Sequence, residues 1–369
     1  MLSFPQQLNN KVFIIAEMGK NFIQTEEECP VFEYLENAKK LVRAAKDAGA
    51  DAVKFQTHNV EDEQLNINVV SPHFRGSDRY SWVSRNTAAT PPEEFWRPLK
   101  TYCDEIGITF FSTPMSRGAA QKLSQLGVEL WKVGSGDLLD FVMLDYLAST
   151  KKPIIISSGM STEEEIDSAI DFLKRRNSEI ILLHCVSKYP CPPDELYLKS
   201  IKYLADRYHV PTGFSDHSIG IDSALAAVAL GARVIEKHFS FARDLWGADH
   251  KVSMTPEEFK TLTKGIRDIE NNPAKKEEYL AKEIVQKGMG KEGKVLQDGE
   301  AIFRPYFRKS LMAGQDIAAG VILTADMIYA MRPQKFAGGM PSERYEYVIG
   351  KKLSKPFKKY DPIVEGLLI

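Results

Sequence analysis

Eight short apolar runs, each separated from the next by a helix-sized stretch, all end in a polar or ionisable residue. This repeated ending constrains the fold more than any other feature of the chain. The runs cover residues 12–16, 52–55, 108–111, 130–133, 154–156, 180–183, 211–214 and 234–235. Their polar ends are Glu17, Lys54 with Gln56, Thr113, Lys132, Ser157, His184, Ser215 with His217, and Glu236 with His238. Strand alternating with helix implies a parallel sheet, and eight such units close into an α/β (β/α)8 TIM barrel whose C-terminal strand ends share one mouth. Residues two apart share a face of a strand. Val53 and Phe55 can therefore face outer helices while Lys54 and Gln56 point inward, and Trp131 and Val133 leave Lys132 facing the interior.

Helical segments are expected at about 34–49, 92–106, 116–127, 138–150, 161–176, 195–207, 220–231 and 256–270. Three starts pair a capping residue with a carboxylate three positions on: Thr90 with Glu93, Ser161 with Glu164 and Thr255 with Glu258. A chain of 369 residues exceeds one core, and the pattern divides it into a catalytic barrel over 1–270, a solvated linker over 271–302 and a small mixed, β-rich domain over 303–369. The polar stretch 59–89, with His73, Arg75, Tyr80 and Trp82, is too long for a plain connection and reads as a lid or a subunit contact.

A net charge of −2 and a pI near 6.4 give no reason to expect nucleic acid or a membrane surface as partner. No apolar run approaches a membrane span and no leader pattern opens the chain, so a cytoplasmic enzyme is expected. Cys29, Cys103, Cys185 and Cys191 do not make a disulfide framework and read as reduced structural thiols.

At the mouth, Ser215-Asp216-His217 and Glu236-Lys237-His238 end adjacent strands and bring two imidazoles to one rim. Two protein nitrogens are too few for a closed zinc site, which points to an open divalent ion completed by water and substrate oxygen. His184, one strand further away, reads as structural or supporting. Lys54 and Lys132, among hydroxyls from Thr113, Ser135, Ser157 and Ser215, suit an anionic ligand such as a phosphate ester. A Schiff-base aldolase or lyase would use the same lysines, and a sugar-binding module without turnover is the non-enzymatic alternative. Glu17, Asp137, Glu236 and Asp249 supply carboxylates for acid–base work or for sugar hydroxyls.

The ordered segments IIAEMGKN (14–21), AGADAVKFQTH (48–58), FFSTPMSR (110–117), WKVGSGD (131–137), PIIISSGM (153–160), LLHCVSKYP (182–190), GFSDHSIG (213–220), IEKHF (235–239) and ADHKVSM (248–254) resemble the sialic acid synthase family. These are the phosphoenolpyruvate-condensing nonulosonate synthases. RKSL (308–311) and MRP (331–333) resemble that family's C-terminal antifreeze-like, or SAF, domain. The resemblance implies condensation of phosphoenolpyruvate with the open-chain aldehyde of an N-acylated hexosamine, giving a nine-carbon 2-keto-3-deoxy sugar acid and phosphate. It implies that His217 and His238 hold a divalent cation, manganese first, with magnesium or cobalt as alternatives. Lys54, Thr113, Lys132, Ser135, Ser157, Ser187 and Ser215 would bind phosphoenolpyruvate. Glu17, Gln56, Tyr189 and Asp249 would bind the sugar or orient the reactants, and Asp137 would serve a proton or the attacking water. Arg332 would complete the sugar site of a neighbouring subunit in a domain-swapped homodimer. The chain departs from the family at Asn21-Phe22-Ile23-Gln24, where Asn-His-Glu-Gly is frequent, at Ser187 and after Pro333. N-acetylmannosamine, its 6-phosphate and di-N-acetylated 6-deoxyhexoses all stand as acceptors.

Overall fold

A computed structural model describes residues 4, 8, 11–70 and 78–369, so His73 and Arg75 of the long loop lie outside the described residues. The barrel strands are β1 (Phe13–Gly19), β2 (Ala52–Thr57), β3 (Thr109–Pro114), β4 (Trp131–Val133), β5 (Ile154–Ser157), β6 (Ile180–Cys185), β7 (Thr212–Asp216) and β8 (Val234–His238). Hydrogen-bonded neighbours run β3-β2-β1-β8-β7-β6-β5-β4, and β3 lies beside β4 to bring the parallel sheet round to a near-closed barrel. The surrounding helices are α1 (Val31–Asp47), α2 (Arg97–Ile106), α3 (Arg117–Gln125), α4 (Phe141–Ser149), α5 (Glu163–Lys174), α6 (Ser200–Tyr208), α7 (Asp222–Ala229) and α8 (Pro256–Asn271).

The period of two along each strand separates two cores. Ile15, Ala52, Phe111, Leu130, Ile155, Ile181, Leu183 and Val234 pack together inside the barrel with Leu8. Glu17, Lys54, Thr113, Lys132, Ser157, Cys185, Ser215 and Glu236 lie two residues further along the same inward faces. An apolar plug therefore floors the barrel, and a polar tier stands on it. Gly213 belongs to the inner face too: a Cβ there would meet Leu183 Cδ2 at 2.6 Å and the Val234 carbonyl oxygen at 2.3 Å, so the plug leaves that position no side chain. The alternate residues pack outward. Val53 and Phe55 join Phe22, Trp96 and Phe110 against the helices, where each large side chain contributes roughly 1.5–3 kcal/mol by leaving water.

The helix starts follow local chemistry, with two differences from expectation. Thr255 and Glu258 form a reciprocal capping box with Pro256 at the first position of α8. At α5 the box is Thr162 with Glu165, one residue later than the Ser161 and Glu164 pairing. Thr90 starts no helix; it is the C-cap of the preceding one, Arg79–Ala89, its hydroxyl donating to the Asn86 carbonyl. Pro91 then leads into a wide turn at Pro92–Trp96 that runs straight into α2.

The stretch 271–302 keeps many exposed residues, as a solvated linker would, but it is folded onto the barrel. Its helices α9 (Lys275–Leu280) and α10 (Glu283–Gly288) pack against α7, and Val285, Gly288, Lys294 and Glu300 are buried. The C-terminal region pairs β9 (Ser310–Ala313) with β10 (Ile328–Met331) in antiparallel fashion around Leu311, Ile317, Leu323, Ile328, Val348, Leu353, Phe357 and Ile363. Isolated bridges such as Ile317 to Phe357 and Leu353 to Leu368 complete it. It sits on its own barrel, where a parallel bridge joins Arg332 to Gln64 in the long loop. Among the described residues no helix is long and apolar enough to cross a membrane.

Candidate active site

The polar tier of the barrel brings two lysines and two glutamates together. Lys54 Nζ lies 2.6 Å from Glu17 Oε2 and 3.7 Å from Glu236 Oε2, and Lys132 Nζ lies 3.5 Å from Glu236 Oε1. Hydroxyls and one amide fill the remaining directions. Lys54 donates to Thr113 at 3.0 Å, Lys132 donates to Ser157 at 2.8 Å, Ser215 donates to Glu236 at 2.9 Å, and Gln56 donates to Glu17 at 3.0 Å. The strand register makes this contact inevitable, since Glu17 is level with both Lys54 and His238, and Ser215 with Glu236. Glu17 and Glu236 thus come up between the two lysines, which the strand pattern placed among hydroxyls.

The two carboxylates are tuned apart. Burial raises the Glu17 carboxyl above its ordinary range, more than Lys54 can offset. Burial also acts to raise Glu236, but Lys132 and Lys54 together hold it down at about 2. Glu17 therefore holds a proton to higher pH than Glu236 does, a separation common in acid–base sites.

Beside this cluster lies a cradle of small polar groups. Ser135 donates to Cys185 Sγ at 3.4 Å, and Ser187 Oγ is 3.9 Å from the same sulfur. Gly159 makes the cradle possible: a Cβ there would lie 2.3 Å from Ser187 Oγ and 2.6 Å from Ser135 Oγ. Across from it, Gly19 at φ +50° forms a wall where an added Cβ would stand 3.0 Å from Asp249 Oδ2 and 3.4 Å from Gln56 Nε2. Asp249, Gln56 and Glu17 thus border one space.

His217 and His238 stand at the rim with ring centroids 5.5 Å apart, and Tyr189 covers His217 at 4.0 Å. Nδ1 of His217 donates to the Val186 carbonyl at 2.9 Å, which fixes the ring. Nδ1 of His238 is buried with no hydrogen-bond partner, and burial pulls that imidazole down to about 4, keeping it neutral. A neutral, unpartnered imidazole beside an oriented one suits an open metal site. No group of three His, Cys, Asp or Glu side chains gathers around a common point among the described residues, so further ligands would be water or substrate. His184 faces outward, stacked on Phe214 and 2.6 Å from the Leu196 carbonyl, a structural place.

Asp137 and Arg332 belong to a second cluster. Arg332 pairs with Asp137, Lys309 lies 2.9 Å from Asp137 Oδ1, and Lys309 is also 2.6 Å from Asp140 Oδ2. Burial acts to raise Asp137, but the two cations hold it below its usual value, so it anchors the C-terminal domain rather than offering a proton. Within the single chain Arg332 reaches Asp137, the place that a neighbour's Arg332 would take in a domain-swapped homodimer. The stretch before it is anchored to the barrel, with Arg308 donating to the Met160 carbonyl at 2.8 Å.

Four buried groups next to this cluster, Lys20, His58, Glu63 and Arg79, carry no signal in the sequence. Lys20 contacts His58 Nε2 and lies 3.5 Å above the Trp82 ring, while His58 Nδ1 is 2.6 Å from Glu63 Oε2 and Arg79 is 3.6 Å from Glu63. Lys20 and His58 lie inside two of the motifs quoted for the resemblance, but no spacing rule marks them. Cys185, read as a plain structural thiol, was the inward-facing residue of β6 by parity alone.

Comparison with known proteins agrees with this geometry. The model of the NeuB family matches residues 41–278, and that of the SAF domain matches residues 308–368. The chain is 34% identical to N,N'-diacetyllegionaminic acid synthase of Legionella pneumophila over 95% of this chain and 92% of that protein. It is 31% identical to N-acetylneuraminate-9-phosphate synthase of Homo sapiens over 96% of this chain and 92% of the other. The crystal structure of a spore coat polysaccharide biosynthesis protein from Bacillus subtilis superposes with a TM-score of 0.77 at 30% identity, covering 97% of this chain and 95% of that one. With a family match over most of the barrel and relatives covering nearly its whole length, the chain belongs to the NeuB family and ends in a SAF domain.

Proposed function

We propose that the protein condenses phosphoenolpyruvate with the open-chain aldehyde of an N-acylated amino sugar, releasing phosphate and a nine-carbon 2-keto-3-deoxy sugar acid. The observation that carries this reading is the pairing of a Lys54–Glu17–Lys132–Glu236 cluster with a hydroxyl cradle on one side and two imidazoles on the other. The names of the relatives, sialic-type acid synthases, support the same chemistry.

Lys54 and Lys132 would bind the phosphate and carboxylate of phosphoenolpyruvate with Thr113, Ser135, Ser157, Ser187 and Ser215 as hydroxyl partners. Gln56, Tyr189 and Asp249 would orient the sugar. Carbon three of the enol phosphate attacks the aldehyde carbon, and the aldehyde oxygen must gain a proton. Glu17, the more readily protonated of the two carboxyls, is suited to give it and to take one back from the water that adds at carbon two. Glu236, held ionised, offsets the positive charge that grows at carbon two before that water arrives. Collapse of the tetrahedral centre expels phosphate. A divalent ion, manganese first and magnesium or cobalt next, would be held by His217 and His238 and would supply Lewis-acid polarisation of the aldehyde oxygen. In a domain-swapped homodimer Arg332 would complete the sugar site of the neighbouring subunit.

The test is phosphate release from phosphoenolpyruvate against a panel of N-acetylmannosamine, its 6-phosphate and di-N-acetylated 6-deoxyhexoses, each with and without manganese. Release that requires one of these sugars, with product mass equal to both substrates plus water less phosphate, supports the reading. Sugar-independent release, or borohydride trapping of a lysine, refutes it.

A further inference from the structure

The buried carboxylate of Glu300, in the stretch between the barrel and the C-terminal domain, reaches the floor of the hydroxyl cradle. Its Oε1 accepts from the backbone N–H of Met160 at 2.8 Å and from that of Ser187 at 2.7 Å. Those two residues belong to different loops, one after β5 and one after β6. Lys294 completes the clamp, donating to the Cys185 carbonyl at 3.1 Å and lying 3.3 Å from Glu300 Oε2. With Oε2 turned to the ammonium, Oε1 is left to the two amides.

The turn held this way needs holding. Met160 has φ +54°, a left-handed conformation that a residue with a side chain adopts only under constraint. Its N–H is taken by Glu300, and its carbonyl accepts from Arg304 at 3.0 Å and Arg308 at 2.8 Å. The residue before it is Gly159, whose lack of a Cβ admits Ser135 and Ser187. A rotation of this turn would therefore drive the hydroxyls apart.

We propose that Glu300 is a positioning residue for the phosphoenolpyruvate subsite, clamping the loops after β5 and β6 so that Ser135, Gly159 and Ser187 keep their mutual placement. The proposal rests on the function given above, and it ties the finished subsite to a segment that lies outside the barrel. A plain staple between domains would lower the melting temperature without favouring one substrate over the other.

The test uses the full chain and three variants. K294M/E300Q keeps a neutral acceptor for both amides, K294M/E300L removes it at similar volume, and E300D keeps the charge but withdraws the oxygen. Calorimetric titration with phosphoenolpyruvate, and with inorganic phosphate as a second probe, reads the subsite directly. The expected result is binding weakened roughly 10- to 100-fold in K294M/E300L and E300D, the usual scale for losing a group that orients binding residues. The acceptor KM should move less than about threefold, and K294M/E300Q should stay within about threefold of wild type, the range left when one hydrogen bond changes from charged to neutral. Equal phosphoenolpyruvate affinity in K294M/E300Q and E300D, or equal losses on both substrates, overturns the proposal. Should wild type bind neither probe, the proposed function falls instead. The clamp is then judged by hydrogen exchange of the Met160 and Ser187 amides, expected fast in E300D and slow in K294M/E300Q; equal rates reject it.

Discussion

Two buried ionic clusters share the mouth of this barrel, and they are built differently. The first, Glu17, Lys54, Lys132 and Glu236, stands wholly on strands, each side chain two residues above the apolar plug. The second, Asp137, Asp140, Lys309 and Arg332, joins the segment after β4 to the C-terminal domain. Strands of one sheet hold their charges in fixed register, so the first cluster can be finely tuned. The second closes only when two parts of the chain dock, so its energy goes into docking. We expect substitutions in the first tier to fall on turnover and ligand affinity, and those in the second on stability.

The largest effect should come from the rim above the first cluster. His217→Ala and His238→Ala should each lower phosphate release by about a thousandfold or more, the scale of losing a group that stabilises developing charge. Circular dichroism should remain as in wild type. Chelation should inactivate the protein and manganese should restore it; full activity in verified metal-free protein would refute the ligand assignment.

Stability should respond most to the second cluster. Lys309→Met leaves two buried carboxylates with one cation between them, and breaking such a pair typically costs about 3–5 kcal/mol. The lower end is expected because burial already raises Asp140, which can take up a proton. Chemical denaturation measures this, and a phosphoenolpyruvate affinity that fell with it would blur the contrast.

Acid should act on both regions through buried histidines. Burial lowers His58 in the second region and His184 on β6 from 6.5 to about 4. Below pH 6.5 the unfolded chain takes up protons that the folded one refuses, so this stability is whole above pH 6.5 and is lost as pH falls toward 4. The loss is at most about 3 kcal/mol for each histidine. His184→Gln should flatten part of the slope in melting temperature over that window, and an unchanged slope would deny the buried neutral state.

Within the first cluster, Lys54→Met and Lys132→Met should raise the phosphoenolpyruvate KM by roughly 10- to 100-fold and leave the acceptor KM nearly unchanged, a lost charge pair in a partly dry site. Unchanged values in both would remove the lysines from the ligand. The smallest expected signal concerns Arg332. Mixed, refolded Arg332→Ala and His238→Ala chains should show no activity beyond that of the two preparations kept apart if each chain closes its own mouth. Recovery of about a quarter of wild type, the share expected from random pairing with one live site per mixed dimer, would mean that the same contact forms between subunits.

The first cluster was legible in the sequence because β-strand parity is a local property: Lys54 between Val53 and Phe55 declares its side without any distant contact. The same parity would have marked Cys185, which its cysteine chemistry concealed. The second cluster was not legible. Asp137 looked like a catalytic acid because nothing near it in sequence announces Lys309 or Arg332. The stretch 271–302 looked solvated since Lys294 and Glu300 sit in a polar, glycine-containing run, and their burial exists only after the chain has folded back onto the rim. Cap shifts such as Thr162 for Ser161 are of a third kind, one residue in register, decided by which hydroxyl meets the amide at Glu165.

The backbone clamp at Met160 and Ser187 has a consequence for the order in which this molecule is made. Chains emerge from the ribosome N-terminus first, and domains generally fold as units as they appear. All eight strands are out before Glu300, Lys309 and Arg332 have been synthesised, so the nascent barrel spends an interval with its strained turn unheld and Asp137 exposed to water. Competence to bind substrate would therefore arrive late, with the segment from Glu300 onward.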